Sequence, residues 1–181
     1  MSMEFSRRAF LKYTALTAAA VAGSSLLSGC NIADPNRPTG KTGATLSLMG
    51  KHTLTAPVYD AANKTLKFHM NIVCTSDNSL SVKSNYFTLY VTHADKKVSE
   101  YNNYGEQGHV TLSSGTEYLP KNSKLETDVT VSGVTITSGD TVKVCYWPRP
   151  VSATGNDIYQ DVFATWDITA DIPAAAASSA T

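Results

Sequence analysis

The sequence is short of the residues from which small disulfide scaffolds and metal centres are usually built. Three cysteines in 181 residues are too few for a disulfide framework. Charged residues make up only 17%, with fifteen basic and fifteen acidic side chains. No basic stripe exists to neutralise phosphates, so nucleic acid is set aside as a partner. No G-x-S-x-G elbow, H-E-x-x-H helix or phosphate-cradling glycine loop occurs, and no catalytic residues or enzyme activity are expected. The four histidines, His52, His69, His93 and His109, form no pair at helical metal spacing, and none stands near a cysteine in sequence. A blue-copper pattern would place a histidine soon after a cysteine, but Cys145 is followed by Tyr146, Trp147 and Pro148. From the residues alone, neither a metal nor another cofactor is expected. What remains is a chain with 42% apolar residues and many threonines and serines, the composition of a folded body.

The charge that is present is uneven only at the start. Glu4 against Arg7, Arg8 and Lys12 leaves residues 1–29 at +2, and the remainder, with twelve basic and fourteen acidic residues, carries −2. Ser6, Arg7, Arg8, Phe10, Leu11 and Lys12 resemble the twin-arginine export motif at each of its specified positions. Tyr13 to Leu27 is rich in alanine but interrupted by Thr14, Thr17, Ser24 and Ser25. It is shorter and less apolar than the roughly 20 residues that a spanning helix requires, and it reads as a cleaved signal. Leu27, Ser28, Gly29 and Cys30 resemble the lipobox of bacterial lipoproteins, in which the cysteine thiol receives a diacylglycerol before the preceding peptide bond is cut.

These resemblances imply a protein in the cell envelope, held at the membrane through diacylglyceryl-Cys30 and facing outside the cytoplasm. Each buried methylene contributes about 0.8 kcal/mol, so two acyl chains hold firmly where one holds weakly. The twin-arginine route generally carries folded cargo, often with a cofactor. A cofactor-holding or redox-associated lipoprotein is therefore the alternative to a binding module for an unknown protein or small molecule.

Residues 30–44, with prolines and glycines and no apolar periodicity, read as a flexible tether. Residues 173–181 read as a frayed tail, which leaves 45–172 as the folded domain. Alternation dominates there: Leu66, Phe68, Met70 and Ile72 fall at every second place, as do Phe87, Leu89 and Val91. Further strands are expected over 45–49, 110–112, 125–131, 141–147 and 162–169, with turns at Asn63–Lys64, Ser76–Asn78, Ser138–Asp140 and Gly155–Asp157. About seven or eight short strands and no helical periodicity predict an all-β, two-layer sandwich. The run from Thr65 to Tyr101, with Thr75 to Ser84 leading into Phe87 and Leu89, resembles the telokin-like, immunoglobulin-fold domains of bacterial lipoproteins. That resemblance implies an immunoglobulin-like fold and an extracytoplasmic setting, with no shared catalytic residues.

Cys74 and Cys145 lie 71 residues apart on two expected strands. A bridge would remove about 4 kcal/mol of unfolded-chain entropy. Cys74 shares its face with Phe68, Met70 and Ile72, whereas Cys145 falls opposite Val142, Val144 and Tyr146, so a bridge and two free thiols both stay open. Two loops, 94–109 and 147–157, are the candidate binding surfaces. They offer Tyr101, Tyr104, Trp147 and Arg149, aromatic and cationic groups among adaptable polar neighbours. Trp166, in step with Val162, Ala164 and Ile168, is expected in the core.

Overall fold

A computed structural model describes residues 37–103, 108–151 and 162–173. Its centre is the strand whose alternation is strongest. Leu66, Phe68, Met70, Ile72 and Cys74 of β4 (Thr65–Cys74) are all buried. β4 pairs antiparallel with β3 (Gly50–Asp60) on one side and β10 (Lys124–Ser132) on the other. The β3–β4 turn closes at Asn63–Lys64, where Asp60 accepts hydrogen bonds from Asn63 and Lys64 takes a positive φ of 51°. β2 (Thr45–Ser47) and β8 (Val110–Leu112) complete a five-stranded sheet in the order β2-β3-β4-β10-β8.

The facing sheet runs β1-β13-β11-β6-β7. It comprises β6 (Phe87–Thr92), β7 (Val98–Tyr101), β11 (Thr141–Tyr146), β13 (Ala164–Asp167) and β1 (Thr39–Lys41). All of its pairings are antiparallel except β1 with β13. With β3, β4, β6, β7, β8, β10, β11 and β13 lettered A, B, C, C′, D, E, F and G, the sheets read A-B-E-D and G-F-C-C′. This is the immunoglobulin-type β-sandwich arrangement. The inner faces form one core that contains Leu54, Met70, Leu89, Val144 and Trp166. Trp166 is fully buried, and its indole N–H donates to the Ala44 carbonyl at 3.0 Å.

A third sheet, β12-β5-β9, is built from the connections at one end of the sandwich. β5 (Ser79–Val82) belongs to the B–C connection, β9 (Thr116–Leu119) to D–E, and β12 (Arg149–Val151) to F–G. Every residue of β5 is buried.

The structure departs from the sequence reading in three places. Thirteen strands occur among the described residues, because pieces of three or four residues are too short for alternation to register. β1 falls inside the stretch read as tether, since Thr39–Lys41 pairs with β13, more than a hundred residues away in sequence. β3, the longest strand, carries His52 at a core position and Pro57 within a register shift between Thr55 and Val58, which obscured its alternation. Residues 1–36, with the export motif, the lipobox and Cys30, lie outside the described residues, as do 174–181 and the Gly155–Asp157 turn.

Candidate functional site

The capped end of the sandwich assembles rings and guanidinium groups. Trp147, the first residue after β11, donates its backbone N–H to the Tyr86 carbonyl at 2.9 Å, joining the F–G and B–C connections. The Arg149 guanidinium lies 5.2 Å from the Trp147 ring centre and 5.8 Å from that of Tyr86. Trp147 also meets Phe163 edge-on at 6.2 Å, and Arg37 sits 4.8 Å over the Phe163 ring. A ring pair, Phe163 and Trp147, is thus flanked by Arg37 on one member and Arg149 on the other, with Tyr86 on Arg149. Each such contact contributes about 0.5–2 kcal/mol, depending on desolvation. Trp147, Arg149 and Arg37 are half-buried, while Tyr86 and Phe163 are buried.

Of the loop residues expected from sequence, only Trp147 and Arg149 come together. Tyr101 lies elsewhere, on C′, with its ring edge-on to His109 at 5.5 Å and its hydroxyl accepting the Thr135 N–H at 3.2 Å. Tyr104 is outside the described residues. Tyr86, Phe163 and Arg37 were not foreseen, because they reach this surface through the pairing of separate connections.

Beneath the surface lies a buried polar group. His52 Nε2 donates to the Leu48 carbonyl at 2.8 Å, and Nδ1 finds no partner among the described residues. The Tyr146 hydroxyl, also fully buried, finds none either. The two rings meet edge to face at 5.2 Å, and Phe87 stacks on Tyr146 at 4.6 Å. Burial lowers the His52 imidazole to about 4 against the pull of its Leu48 hydrogen bond, and burial raises the Tyr146 hydroxyl above its ordinary range.

Cys74 and Cys145, the cysteines among the described residues, are free thiols. Cys74 points into the core from B, whereas Cys145 lies on the outward face of F between Thr88 and Thr165, so the Cys74–Cys145 bridge weighed from sequence is absent. Burial raises the Cys74 thiol and pushes Cys145 up to about 12, which favours the protonated thiol over the thiolate in both.

At the opposite end, three side chains meet in a line. His93 Nδ1 lies 2.9 Å from Asp140 Oδ2, and His93 Nε2 lies 2.8 Å from Ser99 Oγ. His93 follows C, Ser99 is on C′, and Asp140 closes the Ser138–Asp140 turn before F, where Gly139 has a φ of 87°. Asp140 Oδ2 also accepts from the backbone N–H and hydroxyl of Thr137 at 2.8 and 3.1 Å. Burial raises the Asp140 carboxyl, but the hydrogen bonds from Thr137 and His93 more than offset it and hold it below the usual carboxylate range. Sequence reading missed this line, since the three residues share no motif and meet only through strand pairing.

Among the described residues, no group of three His, Cys, Asp or Glu side chains is arranged to hold a metal ion. No described helix is long and apolar enough to cross a membrane. No family model and no curated protein matches the chain. Among solved structures, the archaellum periplasmic stator protein FlaG from Sulfolobus acidocaldarius is similar at 11% identity and a TM-score of 0.37, over 64% of this chain and 96% of that one. The ApaA protein from Bordetella pertussis is similar at 13% identity and a TM-score of 0.38, over 66% of this chain and 94% of that one.

Proposed function

We propose that the protein is a lipid-anchored, extracytoplasmic binding module whose partner docks at the capped end of the sandwich. The observation that carries the reading is the Arg37–Phe163–Trp147–Arg149–Tyr86 chain of contacts, in which Arg37, Trp147 and Arg149 are half-buried over buried Phe163 and Tyr86, with Trp147 and Arg149 on the F–G connection that β12 ties to β5. Half-exposed aromatic and arginine side chains on a rigid support are the usual anchors of recognition surfaces, because they bury large area at little cost in ordering. In variable immunoglobulin domains the B–C and F–G connections at this end carry the binding loops. Anchoring rests on the twin-arginine motif and on Cys30 within its lipobox.

Two measurements test the halves of the reading separately. Surface crosslinking in intact cells is expected to yield a partner band that disappears when Trp147 and Arg149 are replaced by alanine, and a band that persists in the double variant rejects the site. Cys30→Ala protein is expected to leave the membrane fraction, and firm retention rejects the lipid anchor.

A second reading, a held cofactor, draws on the unpartnered His52 Nδ1 and Tyr146 hydroxyl. Elemental analysis and visible absorption of protein purified from its own membrane decide it, and a clean result from both removes it.

A further inference from the structure

Going beyond binding, we propose that Ser99, His93 and Asp140 form an acyl-transfer centre that takes carboxylic esters. Ser99 Oγ is the nucleophile, His93 Nε2 its general base, and Asp140 the positioning residue. A serine hydroxyl is a weak nucleophile until a base lies within hydrogen-bond reach and a third group orients that base. Both conditions are met here, at 2.8 Å between Ser99 Oγ and His93 Nε2 and 2.9 Å between His93 Nδ1 and Asp140 Oδ2.

The direction of the hydrogen bonds follows from the carboxylate. Ionised Asp140 only accepts, so Nδ1 carries a hydrogen, and in the neutral imidazole that acts as base Nε2 then presents its lone pair to the Ser99 hydroxyl. Thr137 fixes the same carboxylate oxygen from two further directions, so the imidazole is oriented by a group that is itself immobilised. The Asp140 side chain is fully buried while that of His93 is 25% exposed, which places the base at the boundary between protein and solvent. Ser99 lies on the outermost strand of its sheet and is itself half-buried, so an ester reaches it without crossing another strand.

The reaction balances with water as the only co-reactant. Ser99 Oγ bonds to the ester carbonyl carbon as its proton passes to His93 Nε2. The bond from that carbon to the alkoxy oxygen breaks, and the alcohol departs with the proton held on Nε2. Water then adds to the acyl-serine and gives a proton to Nε2. The acyl–Oγ bond breaks, releasing the carboxylic acid and returning the proton to Ser99.

The same hydrogen bonds also tie the C–C′ turn to the E–F turn, so the test needs readouts that a purely structural role would leave unmoved. The full chain, extracted from its own membrane in detergent, is incubated with a fluorophosphonate and separately with p-nitrophenyl acetate. Peptide mass spectrometry is expected to place the phosphonyl adduct on Ser99. Ser99→Ala is expected to keep a native, cooperative melt while losing the adduct and slowing ester hydrolysis by about 100-fold or more, since nucleophile and base act as one unit. His93→Gln is expected to lose the adduct as well. Natively melting wild-type protein with no adduct on Ser99, or Ser99→Ala protein that hydrolyses the ester at the wild-type rate, overturns the proposal. If His93→Gln fails to fold, the Ser99 comparison still decides. The binding reading is scored on Trp147 and Arg149 at the other end, so either proposal can fail without the other.

Discussion

The two ends of the sandwich each hold a histidine against the core, and the two are treated in opposite ways. At the capped end His52 is fully buried, and among the described residues one ring nitrogen rests on a carbonyl, the other has no partner and no carboxylate acts on the ring. At the turn end His93 is partly exposed, and both ring nitrogens are engaged, by Asp140 and Ser99. The difference teaches where polarity is stabilising in this fold. A buried imidazole without a counter-charge favours its neutral form and makes the fold sensitive to acid, whereas one hydrogen-bonded to an ionised carboxylate is oriented by it.

Acid should separate the ends most strongly. The unfolded chain protonates His52 near its ordinary 6.5, but the folded chain does so only near 4. The unfolded state therefore binds more protons throughout that window, and stability should fall by about 3 kcal/mol as the pH drops across it. Asp140 behaves differently, because its folded carboxyl is held below the ordinary 3.8 and its contribution is lost only at still lower pH. Urea unfolding between neutral pH and pH 4 measures the loss, and a flat profile would break the contrast.

A second effect should be confined to the turn end. Asp140→Asn weakens the charge-assisted bonds from Thr137 and His93 and should cost about 2 kcal/mol by urea unfolding. Hydrogen exchange is expected to rise around the 93–97 and 137–140 turns while the β12-β5-β9 cap stays protected. Equal loss of protection at both ends would remove the distinction.

The smallest effect should carry the opposite sign. Tyr146→Phe deletes a buried hydroxyl that has no partner among the described residues and keeps the ring stacked on Phe87. It should stabilise the protein by up to about 1 kcal/mol in thermal melts. A destabilised Tyr146→Phe would mean that something bound inside the capped end uses that hydroxyl.

Much of the sandwich was legible because a half-buried strand leaves its period in the sequence. β4, β6, β8, β10 and β11 were visible to within a residue or two at each end. β3 was not, since His52 occupies an inward place that an apolar side chain would fill. The candidate sites were less legible. Trp147 and Arg149 stood out by type, but Tyr86 and Phe163 join them only because B–C and F–G meet at one end, and Arg37 only because the segment before β1 runs beside β13. Nothing in the spacing of His93, Ser99 and Asp140 marks a relay, since chemistry assembled from strand ends carries no local motif.

By itself the sequence determined the all-β class, the inward face of the alternating strands and the opposed parity of Cys74 and Cys145, and it supplied the export motif and lipobox from which anchoring is proposed. These are properties of neighbouring residues, fixed by a period of two or by a contiguous signal. The tertiary structure alone decided which strands adjoin, that Thr39–Lys41 joins a sheet, and which polar groups meet at each end. Alternation sets the face a side chain occupies but not the strand beside it, and a hydrogen bond between distant residues exists only once that neighbour is chosen.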